Sequence, residues 1–213
     1  MTINRSDLRM LSYTEFGCLL DVLTANVVSA CAERQLRIDV VAPILRSGGI
    51  TGCHLASKLG VTAMMPLQYR HTYDPASPIR RQFSIPTFTT EPQDSVVVLM
   101  ADTNTVTGEV ATYAARDLRM KWPASTILFA SVILDLSIEQ LPDVEMLISA
   151  QRSNERRTVS VESAMTIGVS NELLIFPWED IEEQWLEIQA AAAEDNYRKG
   201  HGRLPQRRTL HGN

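Results

Sequence analysis

The stretch that decides the fold is Val97-Val98-Leu99-Met100-Ala101-Asp102-Thr103-Asn104-Thr105-Val106-Thr107-Gly108-Glu109-Val110. Its apolar, β-branched opening suits a buried strand. The run ends in one carboxylate, Asp102, and a short polar turn closed by Thr107-Gly108 leads into helix-forming residues. A strand feeding a helix through such a turn offers unpaired backbone N–H groups and hydroxyls at a helix N-terminus, an arrangement that favours a phosphate. The acid at the strand end could then accept hydrogen bonds from sugar hydroxyls attached to that phosphate.

A similar pattern stands upstream. A β-branched run over 38–45 breaks at Arg46-Ser47-Gly48-Gly49, and the spacing predicts a helix over 50–59 stopped by Gly60. Ahead of it, Ser12 and Glu15 have capping-box spacing, and Leu19, Leu20, Leu23, Val27, Val28 and Cys31 recur at helical intervals up to about residue 34. Further strands are expected at 61–70, 96–101, 126–134 and 173–176, with weaker candidates at 146–149 and 165–169. Helices are expected over 109–121 and 178–196. Residues 71–94, which carry Pro75, Pro78, Pro86 and Pro92, read as a loop or hood with a short strand at 82–85. Strands alternating with helices predict an open, mostly parallel, twisted α/β sheet flanked by helices. In such sheets ligands sit beyond the carboxyl ends of the strands. Both glycine-bearing turns, 46–49 and 102–108, fall there, and two loops converging on one edge suit a doubly phosphorylated ligand.

The chain has 213 residues, 45% hydrophobic and 21% charged, with a formal charge of −5, so nothing overall drives it toward nucleic acid or an anionic membrane. Cations do crowd the end: Arg198, Lys199, Arg203, Arg207 and Arg208 lie among Gly200, Gly202 and Pro205. Cys18, Cys31 and Cys53 cannot pair completely and have no CxxC spacing, which reads as a reducing, cytoplasmic setting with buried free thiols at 18 and 31. The N-terminus lacks an apolar signal core, and no stretch reads as membrane-spanning. His54 and His71 have no metal-ligand spacing to another His or Cys. The acidic run Glu179-Asp180-Ile181-Glu182-Glu183 suits the positive end of a helix dipole and needs no catalytic role.

In this order the segments resemble a type I phosphoribosyltransferase. The family signature, an apolar strand, two acids, a few variable positions and Thr-Gly opening a helix, is matched by Val98-Leu-Met-Ala101, Asp102-Thr103, Asn104-Thr105-Val106 and Thr107-Gly108-Glu109. Pro43-Ile-Leu-Arg46-Ser-Gly-Gly49 resembles the family's pyrophosphate loop, and Leu174-Ile-Phe-Pro-Trp-Glu179 the base-binding end of xanthine- and hypoxanthine/guanine-type members. The matches span about residues 36–180.

The resemblance implies transfer of ribose 5-phosphate from phosphoribosyl pyrophosphate to a purine-like base, with Mg²⁺ bridging substrate oxygens rather than held in a protein cage. Asn104, Thr105, Val106, Thr107 and Gly108 would wrap the 5-phosphate, with the Thr105 and Thr107 hydroxyls among the donors. Asp102, with Thr103, would meet the ribose hydroxyls, and Arg46, Ser47 and Gly48 would face pyrophosphate. Asp102 and Arg46 are thereby the implied catalytic residues, and Ile175, Phe176 and Trp178 the implied base-binding ones. It further implies a homodimer and binding of a nucleobase or nucleoside monophosphate, while the overall charge argues against a membrane or nucleic-acid partner. The expected organisation is an N-terminal helical segment (1–35), a core with its hood (36–180, hood 71–94), a C-terminal helix (181–198) and a basic tail (199–213).

The chain departs from the signature at four places. Thr103 replaces the second acid. Val106 stands where purine-type members carry an Asp for the base proton. Val110 replaces the hydroxyl that closes the phosphate turn. Asp135-Leu136 follows the 126–134 strand where purine-type members place a Lys on the exocyclic oxygen of the base. These departures motivate a second reading, a catalytically reduced protein of this type that binds a nucleotide or phosphoribosyl pyrophosphate in a regulatory or subunit role. A third is an RNA-binding regulator with the basic tail as its arm.

Overall fold

Central strands of a parallel sheet are covered on both faces, so their sequences read as near-continuous apolar runs. β6 (Thr126–Asp135) has that character over most of its length and β5 (Val97–Thr105) over its first half, and they sit together in the middle of a six-stranded sheet. The computed structural model describes residues 8–71, 79–82, 95–153, 173–183 and 185–186. The expected strand at 165–169, the expected strand at 82–85 beyond residue 82, most of the hood, most of the C-terminal helix and the basic tail lie outside the described residues.

The chain divides into two units, Thr14–Asn171 and the pair of segments Met1–Tyr13 and Glu172–Asn213. In the larger unit the sheet runs β4-β3-β2-β5-β6-β7, with β2 (Val40–Leu45), β3 (Leu67–His71), β4 (Ile79–Arg81) and β7 (Met146–Ser153) joining the central pair. Only β4 is antiparallel, to β3. The open, mostly parallel sheet expected from the alternation is therefore the one observed. In the smaller unit β1 (Leu8–Met10) pairs in parallel with β8 (Leu173–Ile175).

Helices α1 (Tyr13–Glu33), α2 (Gly48–Leu59) and α3 (Glu109–Lys121) follow the periodicities. Ala111, Ala114, Ala115 and Leu118 of α3 pack with Val98, Met100, Ile127 and Phe129 of the central strands. The small α3 residues let the helix lie close to the sheet. α2 packs against β2 and β5, and there Gly52 is required: a Cβ on it would lie 2.6 Å from Pro43 Cβ. Gly52→Val is expected to lower stability by about 1–3 kcal/mol through this overpacking, read as a lower urea midpoint.

Several boundaries differ from the sequence reading. α2 begins two residues early, because Gly48 and Gly49 form its first turn, and it ends at Gly60, whose φ of 67° is left-handed. The third strand covers 67–71 rather than 61–70, with Met64 bridging Val41 alone ahead of it. A short strand not expected from the sequence, β4, pairs with β3 ahead of the expected 82–85 segment. Cys18 is exposed rather than buried, whereas Cys31 is buried and all three thiols are free. Helix α1 is 21 residues long and, by length and composition, apolar enough to cross a membrane, contrary to the reading that no stretch qualifies. Phe16, Leu20, Leu23, Val27 and Cys31 form its buried stripe, while Val22 and Val28 are exposed.

Candidate functional site

The expected turn from Asp102 to Gly108 is shorter in the structure. β5 continues past Asp102 because its backbone stays paired with β6, Asn104 opposite Ile133 and Thr105 opposite Leu134. Thr105 is 5% exposed, and its hydroxyl bonds the Ser131 hydroxyl of β6 at 2.9 Å. Asn104 and Thr105 are thus strand residues, and the bend is left to Val106, Thr107 and Gly108. Gly108 takes a φ of 71°, a left-handed conformation that glycine adopts without a steric penalty. Its Cα is backed by the loop between β6 and β7, where an added Cβ would lie 2.6 Å from Leu141 Cδ2. Thr107 is exposed and its Oγ1 accepts the Glu109 amide at 3.3 Å, which leaves its O–H free to donate. What this bend offers an anion is the Thr107 hydroxyl and the N-terminal amides of α3.

The upstream loop comes to the same edge. Gly48 packs so closely on β5 that a Cβ would lie 2.5 Å from the Ala101 carbonyl oxygen and 3.1 Å from Asp102 Cα. Ser47 Oγ donates to Asp102 Oδ1 at 3.4 Å, a long bond that nevertheless ties the two loops. Asp102 Oδ1 also accepts the Thr103 amide at 2.7 Å. Arg46 is exposed beside them, after a cis peptide joining it to Leu45. The structure therefore brings Arg46, Ser47, Gly48, Asp102 and Thr103 together at the carboxyl ends of β2 and β5, with Val106, Thr107 and Gly108 on the bend that follows β5.

Burial pushes the Asp102 carboxyl up to about 7, against the lowering influence of the bonds from Thr103 and Ser47. The native state thus holds this proton more tightly than the unfolded chain, whose ordinary value is 3.8. The stability tied to Asp102 is present in acid and is lost as pH rises from about 4 to about 7. Asp102→Asn keeps an oxygen for both donors and removes the titration. Its urea midpoint is expected to exceed that of the wild type at pH 8, with the gap narrowing by pH 5. An equal gap at both values would refute this account of the carboxyl.

Position 103 is occupied in a way the sequence did not reveal. Thr103 is fully buried, and its Oγ1 donates to the Ser47 carbonyl at 2.9 Å and lies 2.9 Å from the Thr51 hydroxyl. Thr51 carries no motif of its own, although the α2 periodicity places it on the helix's buried stripe with Leu55. A buried polar side chain on such a stripe calls for a partner. Arg152 on β7 carries no motif either. Its guanidinium donates to the carbonyls of Leu136 at 3.3 Å and Ile138 at 2.7 Å. Burial lowers its proton affinity, opposed by the carboxylates of Asp135 and Glu139. Asp135 itself is 1% exposed and accepts from the Ser137 amide at 2.8 Å and hydroxyl at 2.5 Å, so this acid shapes the loop after β6.

The expected base-binding residues belong to the smaller unit. Ile175 and Phe176 are buried there, and Phe176 stacks on the half-buried Trp178 with ring centroids 5.3 Å apart. Among the described residues no group of three or more His, Cys, Asp or Glu could hold a metal ion. One half-buried carboxylate, Asp102, fits a cation carried on a ligand's own phosphates better than one caged by protein.

No family model matches the chain, and no curated protein matches it significantly. Solved structures do. A purine phosphoribosyltransferase from Pyrococcus horikoshii is 14% identical with a TM-score of 0.57, over 82% of this chain and 95% of that one. A xanthine-guanine-hypoxanthine phosphoribosyltransferase from Helicobacter pylori is 14% identical with a TM-score of 0.54, over 84% and 99%. A hypothetical protein from Neisseria gonorrhoeae with bound ppGpp is 13% identical with a TM-score of 0.54, over 86% and 97%.

Proposed function

We propose that this chain, which has the fold of the type I phosphoribosyltransferases, transfers ribose 5-phosphate from phosphoribosyl pyrophosphate to a purine-like base and releases pyrophosphate. The observation that carries the reading is the bond from Ser47 to Asp102, which joins the expected pyrophosphate loop to the expected ribose acid. In the reaction the bond from the anomeric carbon to pyrophosphate breaks with its electron pair leaving on oxygen. A base nitrogen bonds that carbon and its proton departs. Arg46 and the Ser47–Gly48 backbone would hold the leaving pyrophosphate, Asp102 the ribose diol, and Thr107 with the α3 N-terminus the 5-phosphate. Catalysis of this kind is positioning plus electrostatic stabilisation of the departing group. Mg²⁺ would supply charge neutralisation on the pyrophosphate oxygens.

Ile175, Phe176 and Trp178 are proposed for the base, and a homodimer acting in the cytoplasm is part of the same reading. Incubating purified protein with phosphoribosyl pyrophosphate, Mg²⁺ and a panel of bases is expected to yield a nucleoside monophosphate and pyrophosphate. No product with any base would overturn the catalytic proposal.

The second reading is a nucleotide-binding protein without turnover. Thr103 engaged in the core and Asp135 engaged in its own loop favour it, since neither is available for the role the signature gives that position. A neighbour of the same fold carries ppGpp. Thermal stabilisation by phosphoribosyl pyrophosphate or a guanosine polyphosphate, with no product from any base, would select this reading.

A further inference from the structure

Three hydroxyls and a carboxylate form one line across the larger unit. A hydroxyl has a single proton, and Thr103 commits its own to the Ser47 carbonyl. The contact between Thr51 and Thr103 must then be a donation from Thr51. The order is thereby fixed: Thr51 of α2 donates to Thr103 of β5, Thr103 to the Ser47 carbonyl, and Ser47 Oγ to Asp102. Thr51 and Thr103 are both fully buried, where an unmade hydrogen bond is costly and a made one holds its geometry.

We infer that Thr103 is a positioning residue of the site: its buried hydroxyl, supported by Thr51, grips the Ser47 carbonyl and seats the Arg46–Gly48 loop against the Asp102 carboxylate. The inference deepens the proposed function and rests on it for the identity of the ligand, the pyrophosphate portion of a phosphorylated ribose. The grip itself does not depend on that identity. It also gives the departure from paired acids a physical content. The position that would carry a second carboxylate instead carries a clasp, so the loop is held by the core rather than by charge. Around Asp102, β6 presents Ser131 in register, β2 places Pro43 beside Ala101, and the loop contributes Ser47 with Arg46 exposed. Among the described residues burial and two hydrogen bonds set its titration, and no charged side chain does.

The test compares Thr103→Val, Thr103→Ser and Thr51→Val in the full chain. The first readout is the carbon-13 NMR titration of the Asp102 carboxyl without ligand. Thr103→Val releases Ser47, removes a bond that lowers the carboxyl's pKa, and is expected to move the midpoint upward, whereas Thr103→Ser leaves it in place. The second readout is affinity for phosphoribosyl pyrophosphate with Mg²⁺, expected to fall about tenfold in Thr103→Val, as for one lost hydrogen bond, and to be restored by Thr103→Ser. A folded Thr103→Val with the wild-type midpoint and affinity would overturn the inference. Should Thr103→Val not fold, Thr51→Val keeps the grip on Ser47 but loses its support. It is expected to shift the midpoint in the same direction by less, and an unchanged midpoint would overturn the inference equally. Failure of the wild type to bind phosphoribosyl pyrophosphate would remove the proposed function, and the titration would still decide the clasp.

Discussion

Thr103→Asp, which would restore the paired acids of the signature, is expected to destabilise the protein by on the order of 3 kcal/mol or more and to abolish phosphoribosyl pyrophosphate binding. Position 103 has no exposed surface, and its side chain faces the Ser47 carbonyl oxygen at 2.9 Å. A carboxylate there sets acceptor against acceptor. Thr51 can still donate to it, but the Ser47 carbonyl loses the Thr103 hydroxyl, keeping the Ile50 amide at 3.2 Å, and the charge gains no cation among the described contacts of that position. Protonation would relieve the charge only in acid. Thr103→Ser, which keeps the hydroxyl, is the control and is expected to cost under about 1 kcal/mol. Urea unfolding at pH 8 separates the two, and wild-type stability in Thr103→Asp would contradict the packing described.

Gly48→Val is expected to be nearly as damaging. A Cβ at 48 meets the Ala101 carbonyl oxygen at 2.5 Å and Asp102 Cα at 3.1 Å, and both are backbone atoms of a central strand that cannot rotate away. The loop must lift from β5, breaking the Ser47 bonds to Asp102 and Thr103 together. A stability loss of about 1–3 kcal/mol is expected from overpacking, with a larger proportional loss of ligand affinity. Gly49→Ala is the matched control, because its nearest neighbour is the flexible end of Leu45 at 3.2 Å. Equal effects at 48 and 49 would show that the close approach to β5 is not what position 48 requires.

The order of elements and the sheet edge where the two glycine-bearing loops meet were legible in the sequence because they depend on apolar periodicity and on glycine. β5 opens on an apolar run and β6 is mostly apolar, and Gly48, Gly60 and Gly108 stand where a close approach or a left-handed turn demands them. The length of β5 was not legible. Thr and Asn at 103–105 suit a turn locally, and only pairing with β6 keeps them extended. The same tertiary pairing takes Thr105 out of the expected phosphate turn. Residues acting across the sheet were equally hidden, since Thr51 and Thr103 are 52 positions apart, as was Arg152, which stitches the 136–138 loop from a neighbouring strand. Asp135 illustrates a further limit. The resemblance set its position against a base-reading Lys, whereas in the fold its carboxylate accepts from the amide and hydroxyl of Ser137.

Calorimetric titration of the full chain with phosphoribosyl pyrophosphate and Mg²⁺, alongside Arg46→Ala and Asp102→Ala, asks directly whether the β2 and β5 loops form one site for a phosphorylated ribose. Saturable binding to the wild type and a loss of at least tenfold in each variant are expected. No binding by the wild type, or binding that both variants retain in full, would contradict such a site.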